Sequence, residues 1–412
     1  MIPKTIHRIL QARTRFLSKR QTSSSGGLDI EGILTGLGNG LGATFGLQWG
    51  ATTKSTKPPN STVPEIQDTK SKFSDIDSVR RKIRYGPYRI PPTSENNLES
   101  QILQIRGMSN TFKRNARKPC KGECTILGVV ADMEWADGTL MKTQDGILLN
   151  SGPKVVDANC GMTRVENMFM DGNEKTTNGF ALPNSTVKLG YSLTPENSFI
   201  LTTELMNLED KEKWAWVTLT FEYLDGPHHD YKQGKTVWMT IGPPIGACGR
   251  TLNNPFGASN LTWTQQPKSE RFIEHSQPWT SLQDGLILSS GGHMHDGGVN
   301  TMIFHNKEKI CDFLPHYSFT KKTNSTSAAG GHGQGDMRKR QMGGAALDGS
   351  NAEVVHIERQ DPCTFPNGIP IKKGDTAHLA VDYDFKKYPG MKNKKGELDE
   401  VMGIVGMLVA FG

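Results

Sequence analysis

The clearest periodic run in the chain is KWAWVTLTFEYL, Lys213 to Leu224, where Ala215, Val217, Leu219, Phe221 and Tyr223 alternate with Trp214, Trp216, Thr218, Thr220 and Glu222. Successive side chains of an extended chain leave opposite faces, so this alternation predicts a half-buried antiparallel strand. SFILTTELMN, Ser198 to Asn207, precedes it across the turn-prone LEDKE and predicts the other arm of a hairpin. In the C-terminal third, GLILSS, VNTMIFHN, KICDFLPHYS and DTAHLAVDYDF repeat the pattern before the final VMGIVGMLVA. A short helix is expected after a Ser94 cap, with Leu98, Ile102 and Ile105 on one side. Short strands separated by Gly, Pro and Asn turns imply an all-β chain of antiparallel β-sandwiches.

Residues 21 to 83 break this pattern. They are rich in Gly, Ser, Thr and Lys, a composition that buries too little apolar surface to order itself, and are read as a disordered linker or pro-region. The expected organisation is a leader over 1–20, the linker over 21–83, a first sandwich over 84–245 and a second over 246–412. Lys321 to Ser350 forms a mobile loop within the second. A chain of 412 residues with 35% hydrophobic and 22% charged positions suits such a multi-domain globular protein.

The formal charge of +6 is concentrated at the amino terminus. Lys4, Arg8, Arg13, Arg15, Lys19 and Arg20 precede the first acid, Asp29, so beyond residue 28 there remain 42 basic residues against 42 acidic ones. Nucleic-acid binding thereby loses its main support. MIPKTIHRILQARTRFLSKRQ has no continuous apolar stretch and spaces its Ile and Leu residues between arginines, like a mitochondrial presequence; alternatively, Lys19-Arg20 is a dibasic processing site of a secreted precursor. No stretch reaches the ~20 apolar residues that span a bilayer, so no transmembrane segment is expected.

The candidate chemistry centres on GGHMHDGG, Gly291 to Gly298. His293 and His295, two residues apart in an extended segment, leave the same face and can converge on one point, an arrangement suited to zinc, copper, iron or nickel. The flanking glycines leave room for close approach, and Asp296 is placed to orient one ring as an outer carboxylate. Six cysteines, Cys120, Cys124, Cys160, Cys248, Cys311 and Cys363, lack zinc-ribbon spacing and read as disulfides of a secreted protein. The sequons at Asn60, Asn184, Asn260 and Asn324 are glycosylation candidates that agree with secretion. No G-x-S-x-G elbow, P-loop or H-E-x-x-H motif is present, leaving serine hydrolase, nucleotide and zincin chemistry without support.

Several of these segments together resemble the stress up-regulated nodulin (SURNod) family, found in plants and, in longer secreted forms, in fungi. The residues that carry the resemblance are the GGHMHDGG box, Lys309-Ile310-Cys311, Pro315-His-Tyr317, His356-Ile-Glu-Arg-Gln-Asp-Pro-Cys363, Pro370-Ile-Lys-Lys-Gly-Asp375 and Val401-Met-Gly403. In the first half they are YGPY at Tyr85, KPCKGECTIL at Lys118, DGILLNSG at Asp145 and the NSFILTTELMN strand, so the likeness spans roughly Tyr85 to Gly412. A more distant resemblance is to the copper-dependent peptidylglycine and dopamine monooxygenases, two tandem jelly-roll-like domains facing across a cleft. In that group one copper is held by an H-x-H pair with a Met thioether. The resemblance implies copper at His293 and His295, with Met402 as the thioether.

One departure limits what the resemblance implies. Fungal relatives carry a His-His pair before the LNSG-type segment, where this chain reads TQDGILLNSG. Its only His-His is His228-His229, in the DGPHHDY turn, a candidate for a rearranged ligand pair. His356 is a further candidate ligand, whereas His305, His316 and His378 read as ordinary hydrogen-bonded histidines. Cys311 and Cys363, on neighbouring predicted strands of the second sandwich, are expected to pair, with the connectivity of the other four cysteines open. Three functions follow as expectations: a secreted protein with one copper site and a degenerate monooxygenase-like architecture, acting on an unidentified small-molecule or peptide ligand; a non-catalytic extracellular structural or interaction module; or an active two-copper monooxygenase.

Overall fold

A computed structural model of the chain describes residues 57–95, 107–141, 147–157, 164–169, 171–172, 178–182, 185–241, 245–247, 250–252, 269–321, 353–391, 398 and 401–411. The fold is all-β, with no helix among the described residues. The first strands are β1 (Ile66–Thr69), β2 (Val79–Ile90), β3 (Met108–Ala116), β4 (Cys124–Glu134), β5 (Ile147–Asp157), β6 (Arg164–Asn167), β7 (Asn178–Gly179), β8 (Leu189–Leu193), β9 (Ser198–Asn207), β10 (Lys213–Asp225) and β11 (Lys232–Thr240). After these come β12 (Ile245–Ala247), β13 (Arg250–Leu252), β14 (Arg271–His275), β15 (Trp279–Thr280), β16 (Gly285–Met294), β17 (Gly298–His305) and β18 (Glu308–Phe313). The chain closes with β19 (Pro315–Lys321), β20 (Glu353–Gln360), β21 (Cys363–Ile371), β22 (Thr376–Asp384) and β23 (Gly403–Phe411).

A ten-stranded sheet, β1-β2-β10-β4-β8-β11-β23-β16-β21 with β7 beside β4, runs through the described part of the molecule. One end of it packs on the four-stranded sheet β3-β9-β5-β6 over a core that includes Ile126, Phe199, Leu201, Val217 and Phe221. Its other end shares a second core with β14-β22-β17-β18, built on Ile303, Phe313, Leu379, Tyr383 and Val405. The large sheet is therefore common to both cores, because β11, β23 and β16 continue it from one to the other.

The Lys213 run is a strand as its alternation predicts, and Ala215, Val217, Leu219, Phe221 and Tyr223 all enter the first core. The opposite face is also covered, contrary to the half-buried expectation: Trp216, Thr218 and Glu222 are buried. Arg84 lies over the Trp216 ring at 4.4 Å, and Glu222 is covered by the stretch read as linker. Within it β1 pairs with β2, Ser71 and Ser78 donate to Glu222 Oε1 at 2.6 and 2.8 Å, and the Lys72 N–H donates to the same oxygen at 2.9 Å. Arg80 Nη1 completes the set on Oε2 at 3.0 Å. A polar segment is ordered here by pairing with a buried carboxylate, an option that composition alone does not reveal.

The expected hairpin of β9 and β10 does not form. β9 lies between β3 and β5 in the small sheet, while β10 lies between β2 and β4 in the large one. The LEDKE connection thus crosses between layers, and the apolar faces meet across the core, with Phe199 and Phe221 stacked at 6.0 Å. A short polar connector is compatible with either arrangement. Burial of both apolar faces against each other favours the arch. The helix expected after Ser94, the leader over 1–20 and the loop beyond Lys321 lie outside the described residues.

Candidate metal centre

β16 runs antiparallel to β23, pairing His293 with Ile404 and Met294 with Gly403; continued by one residue, that register sets His295 across from Met402. Pleating sorts the side chains. Met294 belongs to the second core, as do Val405, Met407 and Val409 of β23. Leu408 and Ala410 point the other way, into the first core. His293 therefore shares the face of Ile404, Leu408 and Ala410, and Ile404 clusters there with Met402 and Trp238. Two imidazoles and a thioether stand on one side of two adjacent strands, the side turned to the first core.

The His293 and His295 ring centroids are 5.6 Å apart at an interplanar angle of 89°. A metal held at ~2.0–2.1 Å from one nitrogen of each ring places the two centroids about 5–6 Å apart at ordinary bond angles, so the spacing fits a shared ion. His293 is buried and His295 half-buried. Among the described residues no group of three or more His, Cys, Asp or Glu side chains forms a ready metal cage. The donor set on offer is two nitrogens and one soft sulfur, which suits cuprous copper better than zinc or magnesium.

Tyr383, fully buried in the second core, ties together the segments that carry His295 and Met402. Its hydroxyl accepts from the His295 N–H at 3.0 Å and the Met402 N–H at 3.1 Å, and donates to the Met402 carbonyl at 2.5 Å. Both backbone N–H groups lie just past the end of the β16–β23 ladder, where no cross-strand bond serves them. The turn after His295 has a second clamp: Tyr317 accepts from Gly297 N–H at 3.1 Å and donates to Gly298 carbonyl at 2.7 Å. Burial, the nearby Asp296 charge and neighbouring tyrosines hold the Tyr317 hydroxyl protonated well above the ordinary range.

The glycines of the box serve packing. A Cβ at Gly292 would meet the Phe313 ring at 2.9 Å, and one at Gly298 would meet Met294 Cε at 2.1 Å. Gly297 adopts φ +95°, a left-handed conformation that favours glycine, beneath Phe385. The room expected for a ligand is thus filled at these positions by core side chains.

Contrary to expectation, Asp296 orients no ring of the H-x-H pair; its partner is His356 of β20. Its Oδ2 accepts from His356 Nδ1 at 2.6 Å and its Oδ1 from the Ile357 N–H at 2.9 Å. His356 Nε2 is buried and without a hydrogen-bond partner among the described residues. His356 therefore has a stronger claim on a ligand than its sequence context suggested.

His228 and His229 are not brought to this centre. They occupy the turn before β11, where His228 Nε2 lies 3.2 Å from the Asp225 carbonyl and His229 is exposed. β11 meets the site at its far end, where Thr240 pairs with Ile404; at ~3.3 Å per residue, Lys232 is roughly 25 Å away. A rearranged pair from that turn cannot share an ion with His293 and His295. His305 and His316 bond Asp375 and Asp361 at 3.1 and 2.9 Å.

The Cys311–Cys363 disulfide is present, and so is Cys120–Cys124. Cys311 on β18 and Cys363 on β21 belong to different sheets, so that bridge crosses the second core rather than joining neighbours in one sheet. Cys160, Cys248, Asn184, Asn260 and Asn324 lie outside the described residues, while Asn60 is exposed. Sequence reading missed Tyr383, whose place in VDYDF marks it only as an inward strand residue, and Trp238, which lies across Gly406 within 2.9 Å of where a Cβ would stand.

No family model matches the chain. It is 26% identical over 333 residues to "Probable copper-dependent oxygenase M1" of Phoma sp. (strain ATCC 20986 / MF5453), covering 79% of this chain and 70% of that protein. It is 25% identical over 284 residues to "Probable copper-dependent oxygenase clz3" of Cochliobolus lunatus, covering 66% and 75%. Among solved structures, PNGF-II aligns with a TM-score of 0.32 at 8% identity over 80% of this chain and 65% of that one, a level from which no shared architecture follows. The chain stands in a distant, copper oxygenase-like relationship to the two named proteins.

Proposed function

We propose that the protein is a secreted, SURNod-like copper protein with one mononuclear site formed by His293, His295 and Met402. The observation that carries this reading is the common face: rings 5.6 Å apart at the end of β16 and, by continued register, a methionine just before β23 set across from His295. Two imidazoles and a thioether match the preference of cuprous copper, and the distant relatives bear copper in their names. Copper bound there supplies one-electron redox chemistry toward oxygen; the chain's own residues fix the donors through Tyr383 and Tyr317 and shield them from water by burying His293 and Met402. The intended ligand is a small molecule or peptide, and secretion is supported by the two disulfides. The test is copper analysis of purified protein. About one equivalent of Cu(I) under reducing conditions in the wild type, lost in His293→Ala/His295→Ala, is expected for such a site; equal Cu(I) uptake by both proteins sinks the proposal.

A second reading, a non-catalytic extracellular module, is favoured by one observation: among the described residues no group of three or more His, Cys, Asp or Glu side chains is gathered to hold a metal. Ascorbate-dependent turnover of any peptide or phenolic substrate by the copper-loaded protein excludes it.

A further inference from the structure

The outer face of β14-β22-β17-β18 carries a second pair of imidazoles. Leu379, Val381 and Ile303 point into the second core, so their neighbours His378 and Phe304 lie on the outside, directly opposite one another in the β17–β22 register. Phe272 also packs against that core, which leaves His275, across from Ala380, on the same outer face. The His275 and His378 ring centroids are 5.7 Å apart, nearly the separation of the H-x-H pair. His378 is held flat against Phe304, with centroids 4.8 Å apart and planes 4° from parallel, so one imidazole of the pair is already oriented.

The partners of the other histidines make this pair unusual. His305, His316 and His356 each bond an aspartate, Asp375, Asp361 and Asp296. His275 and His378 have no carboxylate partner among the described residues and face each other instead. Two imidazoles so placed repel when protonated; burial and then the His275 charge lower the basicity of His378, which keeps its lone pair free near neutrality. His275 is exposed and His378 half-buried, so an ion reaches both without any rearrangement of the core.

We propose that His275 and His378 form a second metal site, taking a borderline divalent transition ion such as Cu(II), Ni(II) or Zn(II) through two imidazoles with water in the remaining positions. The ring separation agrees with the ~2.0–2.1 Å metal–nitrogen distances that set it, and neutral imidazole is the ligand these ions share. This site is independent of the H-x-H centre, which lies on a strand of the other sheet.

The test is a calorimetric titration of full-length His293→Ala/His295→Ala protein with NiCl2, followed by the same titration after adding His275→Ala or His378→Ala. The expected result is one nickel equivalent in the double variant, with affinity reduced about ten-fold or more by either addition, since one imidazole of two is removed. Bound Cu(II) should show superhyperfine splitting from two nitrogens that becomes one in His275→Ala. Unchanged nickel uptake in both additions overturns the proposal. Should His378→Ala perturb the Phe304 stack, the exposed His275→Ala still decides. Failure of the H-x-H reading appears separately, as copper retained by the double variant and not lost with His275.

Discussion

The hydroxyl of Tyr383 and the backbone of Met402 form a closed pair of hydrogen bonds, N–H to oxygen at 3.1 Å and hydroxyl to carbonyl at 2.5 Å, with the His295 N–H a third contact at 3.0 Å. Tyr383 comes from β22 in the facing sheet, stacked on Phe272 at 5.5 Å, so the separation between the two candidate ligands is set from across the core. Tyr383→Phe keeps the stack and removes the bridge. It should cost about 1–3 kcal/mol in chemical denaturation, the penalty of buried groups left unpaired. In copper-loaded protein it should weaken the sulfur contribution to the X-ray absorption spectrum while leaving the nitrogen contribution in place.

Asp296 and His356 make a second buried linkage at the same turn. Asp296→Ala leaves His356 Nδ1 and the Ile357 N–H without acceptors, and a loss of at least ~1–3 kcal/mol is expected. Asp296→Asn should cost less but turn its amide toward Nδ1, moving the imidazole proton to Nε2. Nitrogen chemical shifts of His356 report that tautomer change; a ring still protonated at Nδ1 in the variant contradicts the assignment.

Glu222 links pH to the attachment of the segment around residues 71–78. Burial raises its pKa, but the bonds from Ser71, Ser78, the Lys72 N–H and Arg80 outweigh this, so the folded value lies below the ordinary 4.5. A carboxyl with a depressed folded pKa contributes stability that is full above the unfolded value and is lost as pH falls through the folded one. The protection of residues 71–78 against hydrogen exchange, taken relative to the intrinsic rate at each pH, should therefore be constant above about pH 5 and fall at lower pH. In Glu222→Gln, exchange should be faster at neutral pH and the acid dependence largely removed.

The two disulfides close loops of very different length, with separations of 52 residues for Cys311–Cys363 and 4 for Cys120–Cys124. Chain-entropy arguments give about 4 kcal/mol for the first and ~2 kcal/mol for the second. Replacing Cys311 and Cys363 by Ala should lower the denaturation midpoint about twice as far as replacing Cys120 and Cys124. Equal effects would show that the long bridge constrains the unfolded chain no more than the short one.

Period-two alternation made the inward residues of β10 legible, and the i, i+2 spacing of His293 and His295 already required a common face. Both follow from the geometry of a single extended segment. The Cys311–Cys363 bridge was also legible, though not that it spans two sheets. The β9–β10 arch was not, because a five-residue polar connector is equally consistent with pairing within a sheet and packing between sheets. Composition likewise hid the order of β1, which pairs with β2, and of residues 71–78, which a buried glutamate holds from far along the chain, Ser71 and Glu222 being separated by 151 positions.

What the sequence determined alone is local: strands, their inward faces, and two imidazoles aimed the same way. Tertiary structure decided which strand lies beside them. The β16–β23 register across 111 residues from His293 to Ile404 sets Met402 across from His295, the packing of β20 brings His356 to Asp296, and the β11–β23 register leaves His228-His229 beyond the far end of β11. Register is chosen by burying the two faces of β23 in two different cores, a long-range balance that no single segment carries.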